Sequence, residues 1–460
     1  MTMHPLYAKA GEAETVPILF VTDATFERII GNVDDRERTF VRACGFEPKA
    51  GRHLVVPAAD GKVAGALFGL ENAEEPVKDL LRPGALSGLL PPGTYRFANA
   101  PHDARLGALA FALNAYRFTR YRKDDARDVR LVLPDGVDGD DLSRIAEGVT
   151  LCRDLVNTPS NDMGPEELEE AAHKLAGEHR ATIGVIGGAR LADTFPLIHA
   201  VGMGSERAPR LIDMTWGSDT DPKVTLVGKG VCFDTGGLDI KPETAMLNMK
   251  KDMGGAATAL ALAHMIMARG LKVRLRVLIP AVENAISGAS FRPRDIYRSR
   301  KGISVEIGNT DAEGRLILAD ALTLADEEKP ELIVDFATLT GAARVALGPD
   351  VPPFFTDDDT LASEFAAAGN AEQDPVWRLP LWRPYEKMLE SKIADLNNVA
   401  TGGQGGAITA ALFLRRFVSA RSWLHLDIFA WTSTAKPGRP EGAECQSARA
   451  LYAMLTKRYA

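Results

Sequence analysis

The chain has 460 residues, a formal net charge of −8 and 45% hydrophobic residues. This length exceeds what one hydrophobic core usually serves, so we expect two domains, and the composition excludes extended disorder. The acidic balance argues against a nucleic-acid partner, and the longest apolar stretch, residues 255–268, is too short to cross a membrane.

The first part of the chain reads as a small α/β domain. Strand-like runs (VPILFVTD, HLVVPAA, VRLVLP) accompany an amphipathic pattern that predicts a helix over residues 104–121. A turn-rich stretch, residues 134–141, then precedes a helical run over 142–155 that links to the second domain. We therefore predict an N-terminal α/β domain over residues 1–138, without a catalytic constellation.

The remaining residues, 139–460, predict a larger α/β domain with a central mixed sheet flanked by helices. Apolar runs such as RLIDMTW, KVTLVGKG, VRLRVLIPA, ISVEIGN, LIVDFATL and WLHLDIFA alternate with helical patterns over 256–269, 317–326 and 407–418. The glycine cluster at 402–406 predicts a turning loop.

Cysteine use and the N-terminal residues bear on the compartment. The four cysteines are far apart and form no C-x-x-C pair, which argues against a disulfide framework and against a thiolate zinc site. Residues 1–14 lack the basic and apolar regions of a secretion signal. A cytoplasmic location is the resulting expectation.

The densest chemical pattern is VTLVGKGVCFDTGGLDIKP, residues 224–242. An apolar strand ends at Gly228 and leaves Lys229, Asp234 and Lys241 in glycine-rich loop, where strand ends of open α/β sheets bind ligands. A phosphate-binding loop is the alternative, but Gly230 follows Lys229 where Ser or Thr should stand.

Two further segments add carboxylates. Asp252 precedes an apolar helix, and taken alone it would be a helix cap. GNTDAEGRL places Asp311, Glu313 and Arg315 two residues apart, so in extended geometry they face one cavity, although a salt-bridged surface loop has the same pattern. Together with Asp234, these acids can supply the oxygen ligands of a two-metal site for zinc, manganese or magnesium.

Other catalytic arrangements find little support. No H-E-x-x-H and no G-x-S-x-G occurs, and the eight histidines are scattered singly. Cys232 has no adjacent histidine in the sequence, so we read it as a buried, inert thiol.

The segments GKGVCFDTGGLDIKP, NTDAEGRL, DFATLTGA and GGAITAALFL, together with that of Asp252, resemble the leucyl (cytosol) aminopeptidase family in order and spacing. The resemblance covers roughly the last two-thirds of the chain. It implies an enzyme that hydrolyses the N-terminal residue, of apolar and leucine-like kind, from short peptides with a free N-terminus.

The resemblance also implies roles for individual residues. Two divalent metal ions would be held by five side chains, with Asp234 and Glu313 bridging: Lys229, Asp234, Asp252, Asp311 and Glu313. Lys241 would stabilise the developing oxyanion, and Arg315 would hold a bicarbonate ion as general base for the metal-activated water. The pocket for the first side chain would be lined by Met249, Thr338, Leu339 and Gly341, although core packing is an alternative for Met249 and Thr338.

Two further expectations follow from the resemblance. Members of this family assemble as homohexamers, so we expect a hexamer. The C-terminal segment FAWTSTAKPGRPEGAECQSARALYAML departs from the family pattern in a part that shapes the pocket.

Two other functions are alternatives to this one. The first is hydrolysis of dipeptides or thiol-containing peptides, and the second is nucleic-acid binding through the basic run at residues 116–123.

Overall fold

A computed structural model describes residues 3–9, 11, 14–123 and 128–460. The segment that argues against a secretion signal, residues 1–14, lies partly outside these described residues. The chain forms two compact units. The first comprises the chain up to Thr150 and, in addition, the segment Ser433–Glu441, whereas the second comprises Leu151–Thr432 and Gly442–Ala460.

The strands run in chain order as follows: β1 Tyr7–Ala8, β2 Val16–Val21, β3 His53–Pro57, β4 Val63–Gly69, β5 Gly93–Phe97, β6 Val129–Val132, β7 Thr182–Gly187, β8 Arg210–Trp216, β9 Lys223–Gly228, β10 Gly230–Asp234, β11 Arg274–Asn284, β12 Ile296–Arg298, β13 Ser304–Glu306, β14 Leu332–Ala337, β15 Pro353–Phe355, β16 Trp377–Arg378, β17 Leu396–Asn397, β18 Trp423–Asp427, β19 Trp431–Thr432 and β20 Gly442–Ala443.

The α-helices are α1 Phe26–Ile30, α2 Asp35–Ala43, α3 Leu86–Leu89, α4 Ala104–Ala115, α5 Gly139–Asn157, α6 Pro165–His179, α7 Gly188–Thr194, α8 Pro196–Gly202, α9 Glu243–Met246, α10 Gly254–Arg269, α11 Gly314–Glu327, α12 Gly341–Leu347, α13 Asp359–Ala371, α14 Gly406–Arg415 and α15 Ala448–Tyr459. Short 3-10 helices cover Arg82–Ala85, Ser160–Asp162, Met249–Met253 and Arg383–Leu389.

The first unit is built on a six-stranded sheet with the order β1-β6-β5-β2-β4-β3. Its strands pair in parallel except for β3, which is antiparallel to β4. The segment Ser433–Glu441 belongs to this unit, and its Gly438, at a φ of 71°, lies so close to α4 that an added Cβ would sit 3.5 Å from the Ala110 Cβ. The unit is thus made from two separate stretches of the chain.

The second unit is built on a nine-stranded mixed sheet with the order β16-β15-β18-β14-β9-β11-β8-β7, and β10 pairs with β11 beside this path. The central strands β18, β14, β9 and β11 are parallel, so their carboxyl ends share one edge. Helix α10 packs on this sheet with nearly every side chain buried, and the residue that caps its C-terminal end, Gly270, has the left-handed conformation. The predicted fold class, a smaller and a larger α/β domain with a mixed sheet, is confirmed.

Some local predictions need correction. The helix predicted over 104–121 ends at Ala115, where Tyr116 takes up an extended conformation, and α4 is buried over Leu106–Leu113 and is therefore not amphipathic. The run ISVEI does form β13, but β13 joins a separate three-stranded sheet, β12-β13-β17. The linking helix α5 runs over Gly139–Asn157, so the sequence-based boundary after residue 138 falls at its first residue, and the division between the compact units falls within it.

Candidate active site

The predicted site residues gather at the carboxyl edge of the parallel strands. Lys229 follows β9, Thr338 follows β14, and Asp427 is the last residue of β18. Asp234 ends β10 and pairs in register with Asn284, the last residue of β11. Because parallel strands end at the same edge, residues far apart in sequence converge there.

Three buried carboxylates form the centre of the site. Asp234, Asp252 and Glu313 are 2%, 3% and 1% exposed, and each offers an oxygen within 4.8 Å of the others. Asp252 belongs to the 3-10 helix that leads into α10, and Glu313 immediately precedes α11. Such burial is costly for an isolated carboxylate, so these groups require cations close by.

Two lysines supply positive charge within the protein. Lys229 Nζ lies 2.8 Å from Asp252 Oδ2 and 2.8 Å from Glu313 Oε1, and it donates to the Thr338 carbonyl at 2.9 Å. Lys241 Nζ lies 2.8 Å from Asp234 Oδ2 and also contacts Asp311 Oδ1. The structure therefore brings together all six of these side chains: Lys229, Asp234, Lys241, Asp252, Asp311 and Glu313.

Burial has the largest influence on the pKa values of the three central carboxyls, and neighbouring charges modify it. Burial, reinforced by the charge of Asp234, raises the pKa of Glu313 to about 8. Burial and the neighbouring Asp252 likewise raise the pKa of Asp234. Burial also disfavours ionised Asp252, but Lys229, Lys251 and Lys241 together outweigh it and lower the pKa of that carboxyl. With all four acids ionised, the cluster would carry more negative charge than its own two ammonium groups neutralise.

The residues fit divalent metal ions. Asp252 Oδ2, Asp311 Oδ1 and Glu313 Oε1 are buried oxygens that have lysine ion pairs but accept no well-directed hydrogen bond. Carboxylate oxygens suit zinc, manganese and magnesium, and an ion between them would remove the excess negative charge. For Lys229, burial disfavours the ammonium, but the neighbouring carboxylates, led by Asp252 and Glu313, outweigh it and raise its pKa. Binding a metal ion through Nζ would therefore require this amine to lose its proton.

Close glycine packing fixes Lys229. A Cβ added at Gly314 would sit 2.7 Å from Lys229 Nζ, and one added at Gly255 would sit 2.2 Å from the Phe336 carbonyl oxygen and 2.9 Å from Lys229 N. Only glycine permits this approach of α10 and α11 to the strand ends. The sequence NMKKDMGG therefore matters for its glycines as well as for Asp252.

Several side chains that support the cluster were missed by sequence reasoning. Asn284, fully buried, donates from Nδ2 to Asp234 Oδ1 at 2.9 Å and to the Thr310 carbonyl at 3.1 Å. Asp427 accepts hydrogen bonds from the backbone N–H groups of Leu339 and Thr340 at 3.0 and 3.1 Å. The available signal was their position as last residues of apolar strands, where side chains turn toward a site.

The residues predicted to line a pocket lie on two segments. Thr338, Leu339 and Gly341 follow β14 directly, and Met249 begins the 3-10 helix that carries Asp252. Thr338 is 5% exposed and donates from Oγ1 to Asp252 Oδ1 at 2.7 Å. Its hydroxyl thus orients a carboxylate of the cluster.

Arg315 lies in the first turn of α11 and is 8% exposed. Its Nη1 donates to the Asn398 carbonyl at 2.7 Å, while its Nε is buried without a hydrogen-bond partner. Burial, partly offset by Glu313 and Asp427, lowers its pKa to about 10. A guanidinium with unused donors at this place is suited to a small anion.

Buried carboxylates with two lysines, at the carboxyl edge of parallel strands, define the class as metal-dependent hydrolases of α/β architecture. The catalytic-domain profile of the cytosol aminopeptidase family matches residues 150–452, and the profile of the M17 aminopeptidase N-terminal domain matches residues 16–134. The chain therefore belongs to the cytosol aminopeptidase family and is a metallo-aminopeptidase, a hydrolase, as the sequence predicted.

Individual relatives agree. The chain is 44% identical over 362 residues to a probable cytosol aminopeptidase of Roseiflexus castenholzii, covering 75% of this chain and 74% of the relative. It matches the cytosol aminopeptidase of Coxiella burnetii with a TM-score of 0.94 and 44% identity, over 99% of this chain and 100% of that one. The bottromycin maturation enzyme BotP, solved in complex with Mn, matches with a TM-score of 0.87 and 33% identity, over 97% and 100%.

Within the described residues, no helix combines the length and the apolar character needed to cross a bilayer.

Proposed function

We propose that the protein removes the N-terminal residue from short peptides with the help of two divalent metal ions held by Lys229, Asp234, Asp252, Asp311 and Glu313. The observation that carries this proposal is the convergence of Asp234, Asp252 and Glu313, whose oxygens lie within 4.8 Å of one another. Asp234 and Glu313 each interact with both Lys229 and Lys241, so either carboxylate would be suited to be shared between the two ions.

When bound, the ions would supply Lewis acidity, a water of lowered pKa and an anchor for the free α-amine of the substrate. Zinc and manganese both suit these ligands, magnesium is the third candidate, and the BotP complex with Mn supports manganese. The need for a free amine would restrict the enzyme to unblocked N-termini.

Lys241 would act through its charge. Its Nζ is held by Asp234 and Asp311, and although burial disfavours the ammonium, those carboxylates raise its pKa, so it stays protonated. A protonated amine fixed beside the cluster can donate to the scissile carbonyl oxygen as that oxygen gains negative charge. The ammonium is in place beforehand, so no reorganisation is needed during the reaction.

Arg315 would hold a bicarbonate ion, which would supply the general base. Its buried Nε, without a hydrogen-bond partner, supports this assignment because such a donor is costly unless an acceptor fills the place. The carboxylate of Glu313, two residues earlier, interacts electrostatically with Arg315, so the guanidinium lies next to the carboxylate cluster.

Substrate choice would depend on the segment after β14 and on Met249. Leu339 and Met249 are half-buried apolar side chains, and Asp427 fixes the backbone of Leu339. An apolar, leucine-like first residue is therefore the proposed preference.

A cytoplasmic location, supported by the names of the relatives, and a homohexamer are further parts of the proposal. Light scattering tests the hexamer, and an active monomer would contradict it.

The decisive experiment combines metal analysis with a matched pair of substrates. The enzyme is stripped by a chelator and assayed on a leucyl amide and on its N-acetylated counterpart, before and after addition of manganese or zinc. We expect activity on the free amine alone, lost on stripping and regained with the metal. Full activity after exhaustive stripping, or equal turnover of the acetylated substrate, contradicts the proposal.

A further inference from the structure

A second group of metal-ligating side chains lies outside the active site. Glu178 and His179 are the last two residues of α6, and His264 lies on α10. One ligand atom from each of the three residues lies within 4.8 Å of the other two. His264 is ten residues beyond Gly254, hence about 15 Å along the helix from its end near Asp252. The group is thus separate from the carboxylate cluster.

The geometry of the two imidazoles suits a metal ion. His179 Nε2 and His264 Nδ1 are 3.1 Å apart, and the rings are inclined at 70°. Two ligands bound tetrahedrally to zinc at roughly 2.0–2.1 Å are about 3.3 Å apart. The rings therefore already stand at nearly the separation that an ion between them would impose.

The protonation states are also appropriate. Burial lowers the pKa of His264 to about 4, and burial also lowers the pKa of His179. Both imidazoles are neutral at pH 7, the form that binds metals. The hydrogen shared between the rings can move to the other nitrogen of its own ring, so binding requires no net loss of a proton.

Glu178 completes the set from the solvent side. Its side chain is exposed and interacts electrostatically with His179, and one of its oxygens lies within 4.8 Å of a ring nitrogen of each histidine. His264 is 9% exposed, so the site is closed on the α10 side and open on the side of Glu178. Two imidazoles and one carboxylate with an open fourth position form a set that zinc uses in proteins.

We propose that Glu178, His179 and His264 bind one divalent transition-metal ion of the zinc class and thereby fasten the C-terminal end of α6 to α10. This ion is additional to the pair proposed for the active site. It would stabilise the folded chain, because a ligand that binds only the folded state raises its stability.

The test is a zinc count on the full chain. Wild type and the variants His179→Gln, His264→Gln and Glu178→Gln are equilibrated with the same buffered free zinc, and bound zinc is measured by mass spectrometry. His173→Gln and Glu170→Gln, exposed positions on the same helix, serve as matched controls. Aminopeptidase activity, whose proposed residues are unchanged in all variants, reports that each protein is folded.

We expect wild type and both controls to bind one more zinc ion per chain than His179→Gln and His264→Gln. Glu178→Gln should weaken that binding by at least the roughly 10- to 100-fold that loss of an outer partner costs. Zinc should also raise the thermal unfolding midpoint of wild type further than that of His179→Gln. If wild type and a folded His179→Gln bind equal zinc, or a control loses the same ion, the site is refuted. Neither result depends on the number of ions in the active site.

Discussion

Asn284 offers a sharp test of how the carboxylate cluster is held. Its amide donates to Asp234 Oδ1 at 2.9 Å and to the Thr310 carbonyl at 3.1 Å, and Asn284→Ala removes both hydrogen bonds. A hydrogen bond to a charged group contributes about 1.5–3 kcal/mol, which corresponds to roughly 10- to 100-fold in an equilibrium constant. Gly236 N still donates to the same oxygen at 2.8 Å, so we expect the lower end, about tenfold weaker metal affinity.

The assay titrates the stripped enzyme with manganese and follows hydrolysis of a leucyl amide. Asn284→Ala should raise the half-saturating manganese concentration about tenfold, while turnover at saturating metal returns close to the wild-type value. Thr323→Val is the matched control, since it removes a buried hydrogen bond to the Ala319 carbonyl within α11, away from the cluster. The reasoning fails if Asn284→Ala leaves the midpoint unchanged, or if the control shifts it equally.

Further expectations concern catalysis and stability. Lys241→Ala should lower turnover about 100- to 1,000-fold with metals still bound. An unchanged rate in steady-state kinetics contradicts the proposed role of Lys241 in stabilising the oxyanion. Arg315→Ala should be partly rescued by added bicarbonate, and a variant indifferent to bicarbonate contradicts its role. Burial raises the pKa of Asp320 to about 7, although hydrogen bonds from three backbone N–H groups act to lower it. Between about pH 4 and 7 the folded chain therefore holds a proton on Asp320 that the unfolded chain has lost. The wild type should therefore lose stability as pH rises from about 4 to 7, and thermal midpoints of Asp320→Asn should show a smaller decline over that range. Gly255→Ala should destabilise the folded protein by at least about 1–3 kcal/mol, because the added Cβ overpacks the site. Gly177→Ala, an exposed position on α6 with nothing within 4 Å of the added Cβ, should instead stabilise the folded protein by about 0.5–1 kcal/mol. Thermal unfolding measures both effects, and equal effects refute the packing argument.

Sequence reasoning reached the acids and lysines because their chemistry is visible locally. Lys229, Asp234 and Lys241 follow one apolar run within a single glycine-rich segment, and Asp311 and Glu313 share one short segment. The predicted loop is wrong in one respect, because Gly230–Asp234 forms the strand β10. Strand ends in an α/β sheet converge, so their proximity in space could be inferred from their place in the pattern. The same reasoning gave the fold class and most strands of the large sheet.

Features that depend on distant partners were missed. Asn284 is fifty residues from Asp234 in sequence, and a lone asparagine after an apolar strand has no chemical signature of its own. The run ISVEI has the period of a strand, but its partners β12 and β17 are only three and two residues long. Such short strands leave no pattern to show which sheet β13 joins. Helix α4 looked longer than it is because the residues after Ala115 keep an apolar spacing while Tyr116 is extended.

The excursion Ser433–Glu441 affects how this protein can be divided. The chain passes from one compact unit to the other at 150/151, 432/433 and 441/442. Removing everything before Leu151 would leave Gly438 without Ala110, against which it packs. A chimaera that exchanges the N-terminal part with that of a relative must therefore carry both stretches from the same parent, because either one alone lacks its natural neighbour.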